Sequence, residues 1–176
     1  MQSPNKSGDT TNYHWGYFRF GLSGFLAYSH PGDEVILSGG FTFAPGFYLV
    51  QSKNYTVSLS APITLGGGSN YTYSYGVVDL PAMLDLHFGS ASEYNYQSTA
   101  GLILGIGVGR YYSYNIDKST DLLSTASLWG PRYQAGFSFG KSSTPTLIMI
   151  HYGESFGTAG GKIFGLSVQA VMRKGK

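Results

Sequence analysis

The sequence predicts an all-β fold, an eight-stranded antiparallel up-and-down transmembrane β-barrel, on three observations. Apolar residues recur at every second position in segment after segment, the period of a β-strand. Residues 77–88 show this most plainly, with Val78, Leu80, Ala82, Leu84, Leu86 and Phe88 on one face and Asp79, Pro81, Met83, Asp85 and His87 on the other. Charged residues make up only 11% of the 176-residue chain and avoid the apolar face, whereas soluble domains carry about 25%. No segment keeps a helical period, and no run approaches the roughly 20 apolar residues of a transmembrane helix.

The segments follow in order. Residues 13–29 set Phe18, Phe20, Leu22, Leu26 and Tyr28 against Tyr17, Arg19, Gly21, Ser23 and Phe25. Residues 35–50 set Phe41, Phe43, Pro45, Phe47 and Leu49 against Thr42, Ala44, Gly46 and Tyr48. Residues 55–65 alternate Tyr55, Val57, Leu59, Ala61, Ile63 and Leu65 with Thr56, Ser58, Ser60, Pro62 and Thr64. The fourth segment, 73–89, contains the alternation described above. In 98–113, Leu102, Leu104, Ile106 and Val108 alternate with Gly101, Ile103, Gly105, Gly107 and Gly109. Residues 128–140 set Trp129, Tyr133, Ala135, Phe137 and Phe139 against Arg132, Gln134, Gly136 and Ser138. Residues 145–156 set Ile148, Ile150 and Tyr152 against Leu147, Met149 and His151. Residues 162–173 close the series, with Phe164, Leu166, Val168, Ala170 and Met172 opposing Gly165, Ser167, Gln169 and Val171. The barrel is thus expected over 13–173, after a flexible N-terminal segment 1–12 and before a basic tail 174–176.

The second face decides the solvent. A lipocalin-like soluble barrel turns its apolar face inward and shows Lys and Glu outside. Here the second face is Gly, Ser, Thr, Gln and Tyr with isolated charges, which suits a narrow filled lumen, leaving the apolar face to lipid. Of the 11 basic and 9 acidic residues, Arg110 and Glu154 alone fall on the apolar parity, both near segment ends. A Lys or Arg at the bilayer midplane costs about 2–4 kcal/mol, which explains the avoidance. Trp129, Tyr28, Tyr55, Tyr112, Tyr152 and Phe156 lie near segment ends on the outward parity, as interfacial girdles do.

Connections at 51–54, 141–144 and 90–97 lie on the side of the termini; those at 30–34, 66–72, 114–127 and 157–161 lie on the other. Bacterial barrels have short periplasmic turns and longer external loops, so both termini are expected in the periplasm. Residues 1–10 are polar and lack the apolar core of a signal peptide, as expected of a mature exported form. With no cysteine, disulfide frameworks and Cys-based metal sites are excluded, and a net charge of +2 does not point to nucleic acid.

The Leu80-Pro81 pair within "VVDLPAMLDLHFG", followed by the Gly-rich "LILGIGVGRYY" and by "YQAGFSFG", resembles the small porin-family outer-membrane β-barrels of Bacteroidetes, themselves similar to OmpX and the OmpA barrel. The resemblance spans 13–172 and implies eight strands in the outer membrane of a Gram-negative bacterium. The chain departs from such barrels at its end, where Val171-Met172 and a basic tail stand in place of a terminal aromatic residue.

Arg19, Asp79, Asp85, His87, Arg132 and Gln134 all take the lumen parity. Buried charges need partners, so an internal polar network is expected to plug the barrel, with pairings set by the stagger of the strands. Catalysis is not expected. In "HYGES", His151 and Glu154 fall on opposite faces, and a nucleophile needs a base within reach. No cofactor or metal site is expected either: Asp85 and His87 share a face, but a third ligand must come from elsewhere. "GGGSN", 66–70, lacks the lysine of a phosphate loop and is expected to be a loop tip, while Gly105, Gly107 and Gly109 are expected to leave room for bulky neighbours such as Tyr17 or Tyr48. Arg110 is placed to contact lipopolysaccharide phosphates at the rim. The external loop 114–127, carrying Asp117, Lys118, Asp121, Leu122 and Leu123, is the expected contact for a protein partner. The functional expectation is a non-catalytic barrel with a structural or interaction role, stabilising the membrane or acting as a subunit of a larger outer-membrane assembly. The alternatives are a narrow channel for small solutes or protons and, third, a soluble ligand-binding barrel.

Overall fold

A computed structural model describes residues 16–29, 34–52, 54–69, 73–91, 99–120, 123–140, 145–156 and 160–173. The expected N-terminal segment 1–12 and tail 174–176 lie outside these. Among the described residues, nine strands form one antiparallel sheet: β1 (Gly16–Ser29), β2 (Glu34–Gln51), β3 (Tyr55–Ser60), β4 (Ile63–Ser69), β5 (Tyr73–Gly89), β6 (Ala100–Asp117), β7 (Leu123–Phe139), β8 (Thr146–Glu154) and β9 (Lys162–Arg173). β1 pairs with both β2 and β9, which closes the sheet. β3 and β4 both lie between β2 and β5, so nine strands make eight staves. The all-β antiparallel barrel expected from the alternation is the fold observed.

The third segment is not one continuous strand as expected. It breaks at Ala61-Pro62, where Pro62 has no N–H to give the ladder, although the Ala61 N–H still reaches the Pro45 carbonyl at 3.0 Å. The register on either side of the break is continuous, with Ser60 opposite Met83 and Thr64 opposite Asp79, so the inward and outward faces are kept. A second irregularity lies between Tyr48 and Val50, where β2 gains a residue against β3. This bulge puts both Leu49 and Val50 on the outside.

The strand pairing fixes the size of the barrel. Following opposed residues from strand to strand gives Tyr17, Gly46, Ser60, Met83, Gly107, Arg132, Gly153, Ile163 and then Ala27. One circuit therefore returns to β1 ten residues beyond its start, from Tyr17 to Ala27. With about 3.3 Å per residue and about 4.7 Å between strands, that stagger over eight staves gives a tilt of roughly 41° and a backbone radius of roughly 8 Å. Side chains alone fill such an interior.

The faces sort by lipid and lumen. Phe18, Leu22, Phe41, Phe47, Leu59, Leu84, Ile106, Phe137, Ile150 and Leu166 are all exposed, while Arg19, Asp85, Gln134 and Gln169 are buried. This is the reverse of a soluble barrel and excludes the lipocalin-type arrangement. From Leu102 to Arg110 on β6, eight residues at that tilt rise about 20 Å, close to the roughly 25 Å apolar band of such barrels. Trp129, Tyr55 and Phe156 are exposed near the two rims. Lys162 joins Arg110 and Glu154 on the outward face, one more charge than expected. It lies directly opposite Glu154 at the end of the β8–β9 ladder, where the wall leaves the apolar band.

Strands are longer than expected at the end away from the termini. Residues 66–69 belong to β4, with Gly66 and Gly67 opposite Gly40 and Gly39, so "GGGS" is wall and not loop tip. The expected loop 114–127 is largely a hairpin: the β6–β7 ladder runs unbroken to Ile116 opposite Leu123. Tyr114 and Ile116 continue the outward alternation of β6 above the apolar band, and backbone pairing extends where both faces meet water.

Candidate functional site

The lumen is layered. Nearest the termini, Tyr17, Tyr48, Ala91, Ile103, Leu147, Met149 and Val171 form one buried apolar cluster; towards the other end, Phe25, Ala27, Val77, Tyr111, Leu128 and Ile163 form a second. The six polar residues singled out in the sequence lie between or against these two plugs. Sequence parity places each plug residue except Ala91, which lies in the turn after β5, on the inner face, but its layer depends on the stagger of ten, which no single strand reveals.

The lower polar layer centres on Asp85, which is 0% exposed, and Arg19, 1% exposed. Arg19 Nη2 stands 3.3 Å from Asp85 Oδ2 and donates to Ser60 Oγ at 3.1 Å, and Nη1 reaches Met149 Sδ at 3.5 Å. The guanidinium carbon lies 5.6 Å from the centre of the Tyr17 ring. Ser60 Oγ donates to Asp85 Oδ2 at 2.5 Å, and Gln134 Nε2 donates to Oδ1. Both carboxylate oxygens are therefore bonded. The upper layer is a separate pair, Arg132 Nη2 to Asp79 Oδ1 at 3.4 Å. Arg19–Asp85 and Arg132–Asp79 do not meet, because Asp79 and Asp85 are six residues apart on one face of β5.

His87 packs edge-on against the Tyr17 ring, with centroids 5.7 Å apart. Its Nε2 lies 2.7 Å from Ser58 Oγ, which lies 2.9 Å from the Tyr17 hydroxyl. The Ser58 and Ser60 hydroxyls were legible only as members of a polar face, yet they bridge the charged groups. His151, on the inner parity but outside the expected network, has its Nε2 2.8 Å from Ser167 Oγ and its ring 6.2 Å from Phe25. A further chain of hydroxyls joins Ser23, Thr42 and Thr64 across three staves.

Small residues make the space. A Cβ on Gly46 would sit 2.3 Å from the Tyr17 ring, and one on Gly105 would sit 2.2 Å from Asp85 Oδ1. Gly105 thus makes room for the Asp85–Gln134 contact rather than for a tyrosine, because the stagger brings β7 and β5 side chains over it. At Gly153 a Cβ would lie 2.3 Å from Arg132 Nη1 and 2.8 Å from its Cδ. Gly153→Val is expected to push the guanidinium off Asp79 and cost about 1–3 kcal/mol. Gly76→Ala, whose Cβ would meet nothing nearer than 4.0 Å, should stay within about 0.5 kcal/mol of the parent. Urea unfolding in lipid vesicles measures both.

Glu154 is exposed on the outer wall while His151 faces inward, and no group of three or more metal-ligating side chains occurs among the described residues.

The rim away from the termini carries the remaining candidates. Arg110 is exposed between Leu80 and Trp129, its Nε donating to Ser127 Oγ at 3.0 Å and its guanidinium 4.8 Å from the Tyr112 ring centre. At the hairpin tip, Asp117 accepts from the Ser119 hydroxyl at 2.7 Å and its N–H at 2.8 Å, which holds the carboxyl below its ordinary range. That contribution is present above the unfolded carboxylate value and fades as pH falls through the lowered folded value. Lys118 Nζ donates to Ser69 Oγ at 2.8 Å, tying the tip to β4. Leu123 is 63% exposed; Asp121 and Leu122 lie outside the described residues.

No protein-family model and no curated protein matches the chain. Solved structures do. Neisserial surface protein A is 12% identical over 90% of this chain and 97% of its own, with a TM-score of 0.64. Ail, the attachment invasion locus protein of Yersinia pestis, is 14% identical over 90% and 97%, with a TM-score of 0.60. The N-terminal β-barrel domain of Pseudomonas aeruginosa OprF is 13% identical over 89% and 99%, with a TM-score of 0.51. The fold is therefore that of the OmpX/OmpA-like outer-membrane β-barrels.

Proposed function

We propose that this chain is a non-catalytic barrel of a Gram-negative outer membrane, of the small porin-family type seen in Bacteroidetes, that works through its outer surface as a subunit of a larger assembly. The observation that carries this reading is the layered lumen: among the described residues, two buried apolar clusters and the buried ion pairs Arg19–Asp85 and Arg132–Asp79 pack the interior. Function then belongs to surfaces rather than to the fold itself, and the β6–β7 hairpin is a surface that projects above the apolar band.

Replacing residues 114–125 by Asn-Gly keeps the Ser113–Ala126 rung and supplies a two-residue turn of the favoured kind. The barrel should still fold, read as a gel mobility that changes on boiling, while its migration with a larger complex on native gels of the outer membrane is lost. An unchanged complex would refute the reading. The lipid partner is assigned to Arg110, whose guanidinium at girdle height suits a lipopolysaccharide phosphate. Arg110→Gln should reduce the lipopolysaccharide retained through mild detergent extraction, measured by mass spectrometry, without altering the fold.

A further inference from the structure

Pro45, Pro62 and Pro81 lie side by side in the wall. Ala61 gives its N–H to the Pro45 carbonyl at 3.0 Å, and Pro45 has no N–H to return. Because successive residues of an antiparallel strand bond to opposite neighbours, Ala61 belongs to β2 and Pro62 turns to β5. The continuous register, with Ser60 opposite Met83 and Thr64 opposite Asp79, sets Pro62 opposite Pro81. Neither has an N–H for the other. The carbonyls of Ala61, Pro62 and Pro81 therefore lack a ladder donor, in a wall that lipid normally requires to satisfy every backbone group.

The gap is reached from the lipid side. Ala61 and Ala82, opposite one another over it, are exposed and short. Leu59, Ile63, Leu80 and Leu84 stand out around them, so the wall has a hole whose floor carries hydrogen-bond acceptors. None of these side chains is a donor, and two such holes set face to face would bring acceptor against acceptor.

A donor stands at the same depth on another part of the wall. Pro81 lies opposite Gly109, and Gly109 opposite Gly130. Opposed residues climb ten residues in one circuit of the barrel, so the two staves from β5 to β7 climb about 2.5 residues towards the far rim. The level of Pro81 on β7 is therefore about 2.5 residues below Gly130, beside Tyr133. Tyr133 is 44% exposed on the outer face, and its phenol offers an O–H at the tip of a rigid ring.

We propose that copies of this chain associate side by side in the membrane, the Tyr133 ring of one entering the hole over Pro62 and Pro81 of the next and donating its hydroxyl to their carbonyls. Small residues that let walls approach, with a polar contact as glue, are what holds proteins together in lipid. The donor and the hole lie on different staves, so the contact is head-to-tail and repeats from copy to copy. It lies within the apolar band and goes beyond the reading of the β6–β7 hairpin as a partner surface.

The chain has no cysteine, so Ser52→Cys, in the turn between β2 and β3, takes a single fluorescent label. Energy transfer between differently labelled copies in lipid vesicles, followed as lipid is added, reads the association. Transfer should exceed that of random collision, and Ala82→Leu, which fills the hole, should abolish it while gel mobility still changes on boiling. Tyr133→Phe should weaken association about threefold to fifteenfold, the range for one hydrogen bond within a membrane. That effect should vanish in a barrel carrying Pro62→Ala and Pro81→Ala, where restored N–H groups take the carbonyls. Unlabelled Leu84→Cys and Ala135→Cys barrels, whose cysteines lie at one level, should cross-link when mixed and not when either is alone. Transfer no greater than random collision, indifference to both Ala82→Leu and Tyr133→Phe, or equal cross-linking in the unmixed samples overturns the proposal. The Asn-Gly hairpin replacement should leave transfer unchanged. Absent transfer with the native complex still lost in that replacement overturns self-association and leaves the hairpin reading standing.

Discussion

Asp85→Ala is expected to lower the unfolding free energy of the barrel in lipid vesicles by about 3–5 kcal/mol, the range for removing one partner of a buried ion pair. Asp85 is the acceptor on which Arg19, Ser60 and Gln134 converge. Without it, the Arg19 guanidinium keeps the Ser60 hydroxyl, the Met149 sulfur and the face of the Tyr17 ring, and its Nε already has no partner. The penalty arises from the stranded charge rather than from the lost attraction. Arg19→Met combined with Asp85→Ala should therefore cost less than the sum of the two single changes, by about 0.5–3 kcal/mol. Additive losses would mean that the two groups do not interact in the folded barrel. Asp79→Ala tests the upper pair in the same way, and it should be independent of Asp85→Ala because the two layers share no partner.

Ile106→Arg is the second large effect, expected to cost about 2–4 kcal/mol in the same measurement. Ile106 is exposed on the outer wall between Leu84 and Tyr133, about halfway up the apolar band. Lipid cannot solvate a guanidinium there. Ile116→Arg, on the same face of the same strand but above Arg110 and Trp129, should change stability by less than about 0.5 kcal/mol, as a water-exposed substitution does. The contrast between two arginines on one strand separates a membrane wall from a soluble one. Equal effects at the two positions would place the membrane boundary elsewhere.

The wall was legible from sequence because lipid and lumen impose opposite demands on successive residues, and the alternation through Val78, Leu80, Ala82 and Leu84 satisfies both. What interrupted the pattern was less legible. Pro62 signalled the break between β3 and β4, since it cannot donate to the ladder. Leu49 and Val50 signalled the bulge, since two adjacent apolar residues cannot both face out of a regular strand. The upper hairpin reads as a loop in the sequence because Thr125, Ala126 and Ser127 are all exposed, and there hydrophobic period carries no information and backbone pairing decides. The pairings in the lumen needed the stagger. Asp85 could have met Arg19 or Arg132 on parity alone, and only the ten-residue offset between Tyr17 and Ala27 assigns it to Arg19.

Conductance through the purified barrel in planar bilayers tests most directly whether the lumen is a packed core. The layered plugs predict no current steps above the bare-membrane leak at any applied voltage, with Asp85→Ala and Arg19→Met acting on stability alone. Regular unitary steps that change with substitution of Asp85 or Arg19 would contradict the account and make the same residues the lining of a pore.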